Sequence, residues 1–183
     1  MTEYFEVLER DGAARLGELR LAEPVSTPAL VGDHLQNAGS LWPQTREQPE
    51  GSDDRLTLLP HRAFPAGTDE RVEAAFSPEY PEVPFPNAVV VSQGTARDHG
   101  ADCYVLSGGQ GIRGHASAFV EAITDVRRAI PPDTALYLPG VATPRNVSTL
   151  LYAGVDLVDE DRAVVSGSQG RYLTREGAYD LED

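Results

Sequence analysis

The feature that most constrains the fold is a set of four short, almost continuous apolar runs in the second half of the chain. Such runs are too short for core helices and are typical of strands buried on both faces, as in a parallel sheet. Each run covers four residues: 88–91, 103–106, 135–138 and 155–158. The sequence therefore predicts an α/β fold in which these runs are neighbouring parallel strands.

Amphipathic segments lie between the later runs. A helix from about Ser117 is indicated by apolar residues at helical spacing, namely Phe119, Ile123, Val126 and Ile130. Thr143 followed by Pro144 predicts the start of a second helix, which Gly154 ends. Strands that alternate with helices occur in doubly wound sheets and in (β/α) barrels, and the pattern leaves both open.

The first part of the chain has a different texture. Alternating apolar and polar residues on both sides of Asp11 and Gly12 predict an antiparallel hairpin. Residues 31–60 are rich in glycine, proline and acids, which indicates an exposed loop with a short strand at its end, from Leu56. Thr68 is then predicted to cap a short helix that runs to about Phe76.

These elements divide one domain into three parts: an opening hairpin (1–30), a loop-rich segment (31–87) and an α/β core (88–183). A chain of 183 residues is long enough to bury a core of its own. No stretch approaches the roughly 18 consecutive apolar residues of a membrane span. We therefore expect a folded protein of the cytoplasm with no membrane partner.

The charge balance points to an unusual solvent. The chain has 29 acidic and 15 basic residues, a net charge of -14, and every basic residue is arginine. An acidic, lysine-free surface suits a high-salt cytoplasm, where the Debye length is only about 3 Å at 1 M salt. Because the acidity reports the solvent, it does not argue against a nucleic-acid partner.

Polar and small residues follow the predicted strands. Since chemistry in α/β folds lies at the carboxyl ends of the strands, these residues are candidates for a site. They are Ser92-Gln93-Gly94, Ser107-Gly108-Gly109, Pro139-Gly140 and Asp159. Without further context, Asp159 reads equally as a surface acid, Gln93 as a polar loop residue, and the two glycines as a turn.

Two stretches near the end of the core carry a family resemblance. Residues 137–146 read Y-L-P-G-V-A-T-P-R-N and residues 154–159 read G-V-D-L-V-D. They resemble the tRNA-guanine transglycosylase family, whose pattern is Y-L-M-G-V-G-x-P-x-D/N followed by G-V-D-x-F-D. The R-x-G-x-L of residues 15–19 and the T-P-A of residues 27–29 are similar to its opening hairpin, and residues 170–177 to the segment beyond its catalytic strand.

Within that family the lysine-free acidic chain most resembles the N-terminal transglycosylase-like region of archaeosine synthases from halophilic archaea. The resemblance implies tRNA modification in archaeosine biosynthesis, by a transferase that acts on a 7-deazaguanine-type base in tRNA. It places Asp159 at the position of the aspartate nucleophile. The same resemblance puts a base-binding pocket at Gln93, Gly94, Gly108 and Gly109.

The chemistry agrees with those roles. A carboxylate stabilises an anomeric carbon as a base leaves the ribose, and a glutamine amide reads the edge of a purine-like base. Arg162 and Arg171 are hypothesised to contact tRNA phosphates, although scattered arginines in an acidic chain more often pair with carboxylates. No cofactor is expected.

No metal is expected either. The family binds zinc through C-x-C-x-x-C and a later histidine, whereas Cys103 is the single cysteine here and is predicted to be a small buried apolar residue. The histidines are dispersed, without the spacing of a metal site: His34, His61, His99 and His115.

Three departures from the family bear on activity and fold. The family's D-S-G-G-F-Q loop, which holds a second carboxylate, has no counterpart between Ala29 and Ala88, and residues 163–168 lack the arginines of its P-T-R-x-x-R segment. A barrel of about 250 residues also exceeds the length of this chain. The expected fold is therefore a shortened or incomplete (β/α) TIM-type barrel with an N-terminal antiparallel hairpin.

Two functions stay open at this stage. One is an enzyme domain that works on the modified base, with a catalytic or C-terminal partner region. The other is a non-catalytic domain, derived from a transglycosylase, that binds tRNA or scaffolds a catalytic subunit. A doubly wound domain of unrelated function is a third alternative.

Overall fold

The computed structural model describes residues 2–37, 50–62, 64, 68–76, 79–109 and 116–181. Residues 38–49 of the predicted loop, Pro78 and His115 lie outside these ranges. The elements described below all belong to the residues within them.

The chain opens with an antiparallel sheet of three strands, β1 (Phe5–Asp11), β2 (Ala14–Leu19) and β3 (Val25–Thr27), in that order. Asp11 pairs with Ala14 across the turn. Gly12 has a φ of 62°, which glycine adopts without strain. The predicted hairpin is therefore confirmed, with the turn where the Asp11-Gly12 pair predicted it.

The core is a sheet of seven parallel strands. They are β4 (Ala29–Leu30), β5 (Leu35–Asn37), β6 (Leu56–Leu58), β7 (Asn87–Val91), β8 (Cys103–Leu106), β9 (Ala135–Tyr137) and β10 (Leu157–Val158). Their order across the sheet is β4-β10-β9-β8-β7-β6-β5. All four apolar runs predicted as parallel strands are thus confirmed, and so is the short strand at Leu56.

The seven-stranded sheet is curled. β4 and β5 lie at its opposite edges, yet only residues 31–34, with a 3₁₀ turn at Gly32–His34, separate them in the chain. Strands about 4.8 Å apart would put the edges of a flat sheet of this size about 29 Å apart. The chain from Leu30 to Leu35 reaches at most about 18 Å. The two edges must therefore curve towards each other.

The prediction of an exposed loop over residues 31–60 is wrong in part. Leu35–Asn37 forms a strand that pairs in parallel with Leu56–Leu58. The three-residue strand is too short to show a period of its own, and its pairing with a distant segment gives it regular structure. Residues 50–55, in contrast, are exposed as predicted.

Four helices complete the described part: α1 (Glu70–Phe76), α2 (Ala116–Ala129), α3 (Val147–Tyr152) and α4 (Asp161–Ser168). A short antiparallel hairpin, β11 (Arg171–Leu173) and β12 (Ala178–Asp180), follows α4. None of the described helices is long and apolar enough to cross a membrane.

The predicted helices are confirmed, but two of their starts differ. α1 begins at Glu70, and the carboxylate of Asp69, one residue after the predicted cap Thr68, accepts the N–H of Arg71 over 2.9 Å. At α3, the predicted cap Thr143 lies in a turn before the helix, where its N–H donates to Oδ1 of Asn146 over 2.7 Å. The N–H of Val147 donates to the carbonyl of Thr143 over 3.0 Å, and α3 begins at Val147, after this turn.

The two faces of the sheet pack against different elements. Register pairs such as Val105 with Tyr137 place alternate residues on the same face. One face packs against the opening hairpin, through Phe5, Leu19, Ala88, Cys103, Val105, Tyr137 and Leu157. The other packs against α2, through Val89, Val91, Tyr104, Leu136, Phe119, Ile123 and Val126. Cys103 is fully buried, as predicted.

The hairpin covers the amino ends of the strands. The guanidinium of Arg15 on β2 forms a buried ion pair with Asp156, directly before β10. It also donates to the carbonyl oxygens of Pro132 (2.8 Å) and Thr134 (2.9 Å), ahead of β9. The N–H of Leu136 donates to the same carboxylate over 2.7 Å. The hairpin is thus fixed at the amino ends of β9 and β10, and in α/β folds the carboxyl ends of the strands are where ligands bind.

Candidate functional site at the carboxyl ends of the strands

A buried carboxylate lies at the carboxyl end of β10. Asp159 is only 7% exposed, although it stands among acidic neighbours in the sequence. Its Oδ2 accepts hydrogen bonds from the hydroxyl of Tyr137 and from the N–H of Gly140, both over 2.7 Å. Its Oδ1 accepts the N–H of Asp161 over 3.2 Å. The surface-acid interpretation of Asp159 is therefore wrong, because the neighbouring strand end encloses the side chain.

The backbone around Gly140 is shaped for this contact. Gly140 follows β9 with a φ of 68°, in the left-handed region that favours glycine. The turn directs its N–H at Oδ2 of Asp159. Gly140, which follows the third apolar run, thus positions its N–H to bond the carboxylate of Asp159 at the end of the adjacent strand.

Tyr137 is a site residue that the sequence analysis did not select. It lies at the end of β9 and is 6% exposed. Burial raises its pKa, and the hydrogen bond to Asp159 raises it further. The phenol therefore keeps its proton and acts as a donor. A tyrosine at the end of a buried strand needs a polar partner, and this requirement marks Tyr137 in the sequence without naming the partner.

The Gly108-Gly109 loop packs beside this cluster. Gly109 is buried, and a Cβ atom there would lie 2.9 Å from Cδ1 of Leu138 and 3.6 Å from Cγ2 of Val141. Leu138 and Val141 flank the turn that holds Gly140. Gly108 is exposed, with a φ of 77°. The structure therefore joins Tyr137, Gly140 and Asp159 by hydrogen bonds and packs Gly109 against the side chains on either side of that turn.

Gln93 and Gly94 occupy the end of β7 and are both exposed. The amide of Gln93 donates to Oδ2 of Asp125 on α2 over 2.8 Å. Its described hydrogen bond is thus to a helix that covers the sheet, and none joins it to Asp159. The role of Gln93 and Gly94 in binding a base stays a prediction.

A second carboxylate lies at the end of β7. Glu73 of α1 is buried, and one of its oxygens accepts a hydrogen bond from the hydroxyl of Ser92. The N–H of Ser92 donates in turn to Oγ1 of Thr95 over 2.8 Å. Glu73 is not predictable from the sequence, because a lone glutamate on a short helix carries no pattern. The contact anchors α1 to the end of the strand.

The two predicted tRNA contacts lie beyond Asp159. Arg162, on the first turn of α4, is half-buried, and its guanidinium has no ion pair with the described residues. Nε of Arg171 donates to Oδ1 of Asp180 over 2.8 Å, with both side chains largely exposed. Arg171 thus pairs with a carboxylate, which was the alternative to a tRNA contact. The guanidinium of Arg162 has no such partner among the described residues, so its contact with a tRNA phosphate stays a prediction.

Within the described ranges, no group of three or more His, Cys, Asp or Glu side chains is arranged to hold a metal ion. The imidazole of His99 packs edge-on against Tyr80, with ring centroids 5.2 Å apart. Burial lowers the pKa of His99. This histidine therefore belongs to the packing of the core.

The parallel sheet and the cluster around Asp159 define the class of protein to which this chain belongs. The chain is an α/β protein with a parallel sheet, a held carboxylate and a glycine turn at the carboxyl ends of its strands, and in such folds ligands bind beyond the strand ends. Comparison with known proteins then gives the family. The family model described as queuine tRNA-ribosyltransferase matches residues 87–183, just over half of the chain. The chain belongs to this family, which confirms the resemblance to tRNA-guanine transglycosylases.

Two relatives match over the whole chain. It is 60% identical to archaeosine synthase from Haloferax volcanii over 183 residues, 100% of this chain and 31% of that protein. It is 35% identical to archaeosine synthase subunit alpha from Methanosarcina acetivorans over 209 residues, 100% of this chain and 33% of that protein. The chain therefore spans about a third of the length of the curated relatives it matches.

Proposed function

We propose that this chain is a transglycosylase-like domain for tRNA modification in archaeosine biosynthesis, which holds a 7-deazaguanine-type base of tRNA at the carboxyl ends of β7 to β10. The observation that carries the proposal is the buried Asp159 carboxylate, held by Tyr137 and Gly140 within the part of the chain that the family model matches. The two archaeosine synthases support the substrate.

The geometry of Asp159 suggests how it acts. Two donors hold Oδ2, so the carboxylate is fixed in orientation, and Oδ1 is the oxygen with the weaker contact. A fixed carboxylate stabilises the positive charge that develops at the anomeric carbon when the bond between base and ribose weakens. We assign that role to Oδ1. The Gly108-Gly109 backbone would line the place of the base.

The curled sheet supports a finer proposal for the fold. We infer that it is a shortened TIM-type barrel, in which the segment over residues 29–37 closes the sheet by pairing with β10 at one end and with β6 at the other. The hairpin (1–30), the loop-rich segment (31–87) and the core (88–183) then form one domain. We place it in the cytoplasm, with tRNA and a catalytic or C-terminal region as partners.

A calorimetric titration of 7-cyano-7-deazaguanine in molar KCl tests the proposal. We expect the wild type to bind the base and Asp159→Asn to lose most of that affinity. Asp161→Asn is the matched control, because it removes an exposed neighbouring carboxylate and leaves the N–H that bonds Asp159. Equal binding by all three proteins would overturn the role of Asp159.

One observation favours a second function. The amide of Gln93, the residue predicted to read the base, is bonded to Asp125 on a covering helix. This engagement suits a scaffold that binds tRNA without reading the modified base. The scaffold predicts that tRNA binds equally to the wild type and to Asp159→Asn and that the free base binds to neither.

A further inference from the structure

The hairpin after α4 turns two tyrosines away from the body of the protein. Tyr172 on β11 pairs with Tyr179 on β12. Their rings are stacked, with centroids 5.4 Å apart and planes inclined by 22°. Tyr172 is 48% exposed and Tyr179 is 45% exposed. A stacked aromatic pair therefore lies at the surface of a two-stranded ribbon.

The opposite face of the ribbon has a different character. Because side chains alternate along a strand, Leu173 lies on the face away from the tyrosines, and it is half-buried. Arg171 and Asp180 form their ion pair beside it in the register. The hairpin thus buries a leucine and exposes its two largest apolar groups. Cross-strand aromatic contact stabilises the ribbon but does not require the outer ring faces to be free.

The exposed rings border a cavity of about 520 Å³, whose lining also includes Asp180 and Leu181. Aromatic faces bind flat π systems by stacking. The side chain of Asp180 lies on the face of Leu173, so the tyrosine rings are what this cavity offers a ligand. The cavity therefore suits the flat base of a nucleotide.

The hairpin is connected to the candidate site. The N–H of Leu181 donates to the carbonyl of Gly170 over 2.7 Å, which fastens the ribbon to the end of α4. The other end of α4 begins at Asp161, whose N–H bonds Asp159. α4 has eight residues and is thus about 12 Å long. A single strand that enters the site can reach the tyrosines over such a distance.

We propose that Tyr172 and Tyr179 form a stacking platform for an unpaired base of the RNA whose target base lies at Asp159. The inference rests on the proposed function and adds a second contact to it. Stacking also suits this chain, because a net charge of -14 without lysine gives little attraction for phosphates, and molar salt screens what there is. RNA-binding proteins use aromatic side chains on unstacked bases in this way.

The test is the affinity of the 183-residue chain for labelled tRNA, by fluorescence anisotropy in molar KCl. Tyr172→Ala and Tyr179→Ala each remove one ring, and we expect Kd to rise by about five- to a hundredfold, as for other base–aromatic contacts. Tyr172→Phe keeps the ring and should bind within twofold of the wild type. Tyr172→Leu keeps apolar volume without a π face and should bind as weakly as Tyr172→Ala.

Tyr152→Ala is the matched control, because Tyr152 is 70% exposed on α3, outside the hairpin. It should leave the affinity unchanged, and far-ultraviolet circular dichroism should be the same for every variant. Unchanged binding by both alanine variants, while the wild type binds tRNA, would overturn the platform alone. Wild-type affinity for tRNA in Tyr172→Leu would overturn stacking as the contact, because leucine has no π face. A wild type that binds no tRNA would overturn the proposed function and the platform together.

Discussion

Arg15 and Asp156 are 141 residues apart in the chain and form a buried ion pair, which joins the opening hairpin to the amino end of β10. The guanidinium is further held by two carbonyl oxygens, and the carboxylate by the N–H of Leu136. The pair thus fixes how the hairpin sits on the sheet. The amino ends of β9 and β10 therefore contribute to the stability of the fold.

We expect Asp156→Asn to lower the free energy of unfolding by about 3–5 kcal/mol, because Arg15 keeps its charge in a buried place without its partner. The measurement is urea denaturation in molar KCl. Asp180→Asn is the control, since it breaks the exposed pair with Arg171, where about 0–1 kcal/mol is expected. Equal losses in the two variants would contradict the structural role of the buried pair.

Asp102 should make stability depend on pH. It is buried ahead of β8, where its carboxylate accepts two hydrogen bonds from Asn87. Burial raises its pKa from 3.8 to about 6. Between about pH 4 and pH 6 the folded state holds a proton that the unfolded chain releases, so the free energy of unfolding falls as the pH rises through this window. The contribution is about 2–3 kcal/mol.

Denaturation of the wild type and Asp102→Asn from pH 4 to pH 7 measures this effect. The wild type should lose about 2–3 kcal/mol relative to the variant over that range, because asparagine does not titrate. Asp54→Asn, at an exposed position, controls for the loss of one negative charge. A constant difference between the wild type and Asp102→Asn at every pH would show that the prediction is wrong.

Removal of the Tyr137 hydroxyl should weaken both the fold and the site. Tyr137→Phe leaves Oδ2 of Asp159 with only the N–H of Gly140. We expect the free energy of unfolding to fall by about 1–3 kcal/mol, as for a hydrogen bond to a charged group. The affinity for 7-cyano-7-deazaguanine should fall as well, since the carboxylate is less firmly oriented. Thermal and urea unfolding measure the effect on stability, with Tyr152→Phe as an exposed control. Calorimetric titration measures the effect on affinity.

The same substitution at two glycines should have opposite effects. Gly109→Ala places a Cβ atom 2.9 Å from Leu138, so the loop beside Gly140 must shift, and we expect a loss of about 1–3 kcal/mol. Gly167→Ala lies in α4 with no atom within 4 Å of its Cβ. It should gain up to about 1 kcal/mol, because alanine is the better helix former. Chemical denaturation of both variants gives the signs, and a stable Gly109→Ala would contradict the close packing of the loop.

Local patterns predicted much of this fold. Four apolar runs gave the parallel strands, and the Asp11-Gly12 turn gave the hairpin, because both signals depend on neighbours in the sequence. The short strand at Leu35 and the curl of the sheet depend on pairing between distant segments, which no local pattern reports. α3 begins at Val147 because residues 143–146 form a turn, with bonds between Thr143 and Asn146 that the Thr143-Pro144 pair did not indicate.

The site was predictable only in part. Asp159 and Gly109 were selected from their place after strands; the structure bonds Asp159 to Gly140 and packs Gly109 against Leu138 and Val141 beside the same turn. The contact of Asp159 with Tyr137 and that of Ser92 with Glu73 join residues from different elements. Gln93 shows the same difficulty, since its bond to Asp125 crosses 32 positions of the chain. Partners of this kind are set by tertiary packing, and side-chain chemistry alone does not name them.

The curled sheet has a consequence for colloidal behaviour. A parallel sheet normally presents two long edges, each able to recruit a strand from another molecule. Here the outermost strands are two and three residues long, and one short stretch of chain carries both. In molar salt, repulsion between acidic surfaces is screened within about 3 Å. Edge strands this short offer few backbone groups for pairing with another molecule, so they limit aggregation where charge repulsion does not.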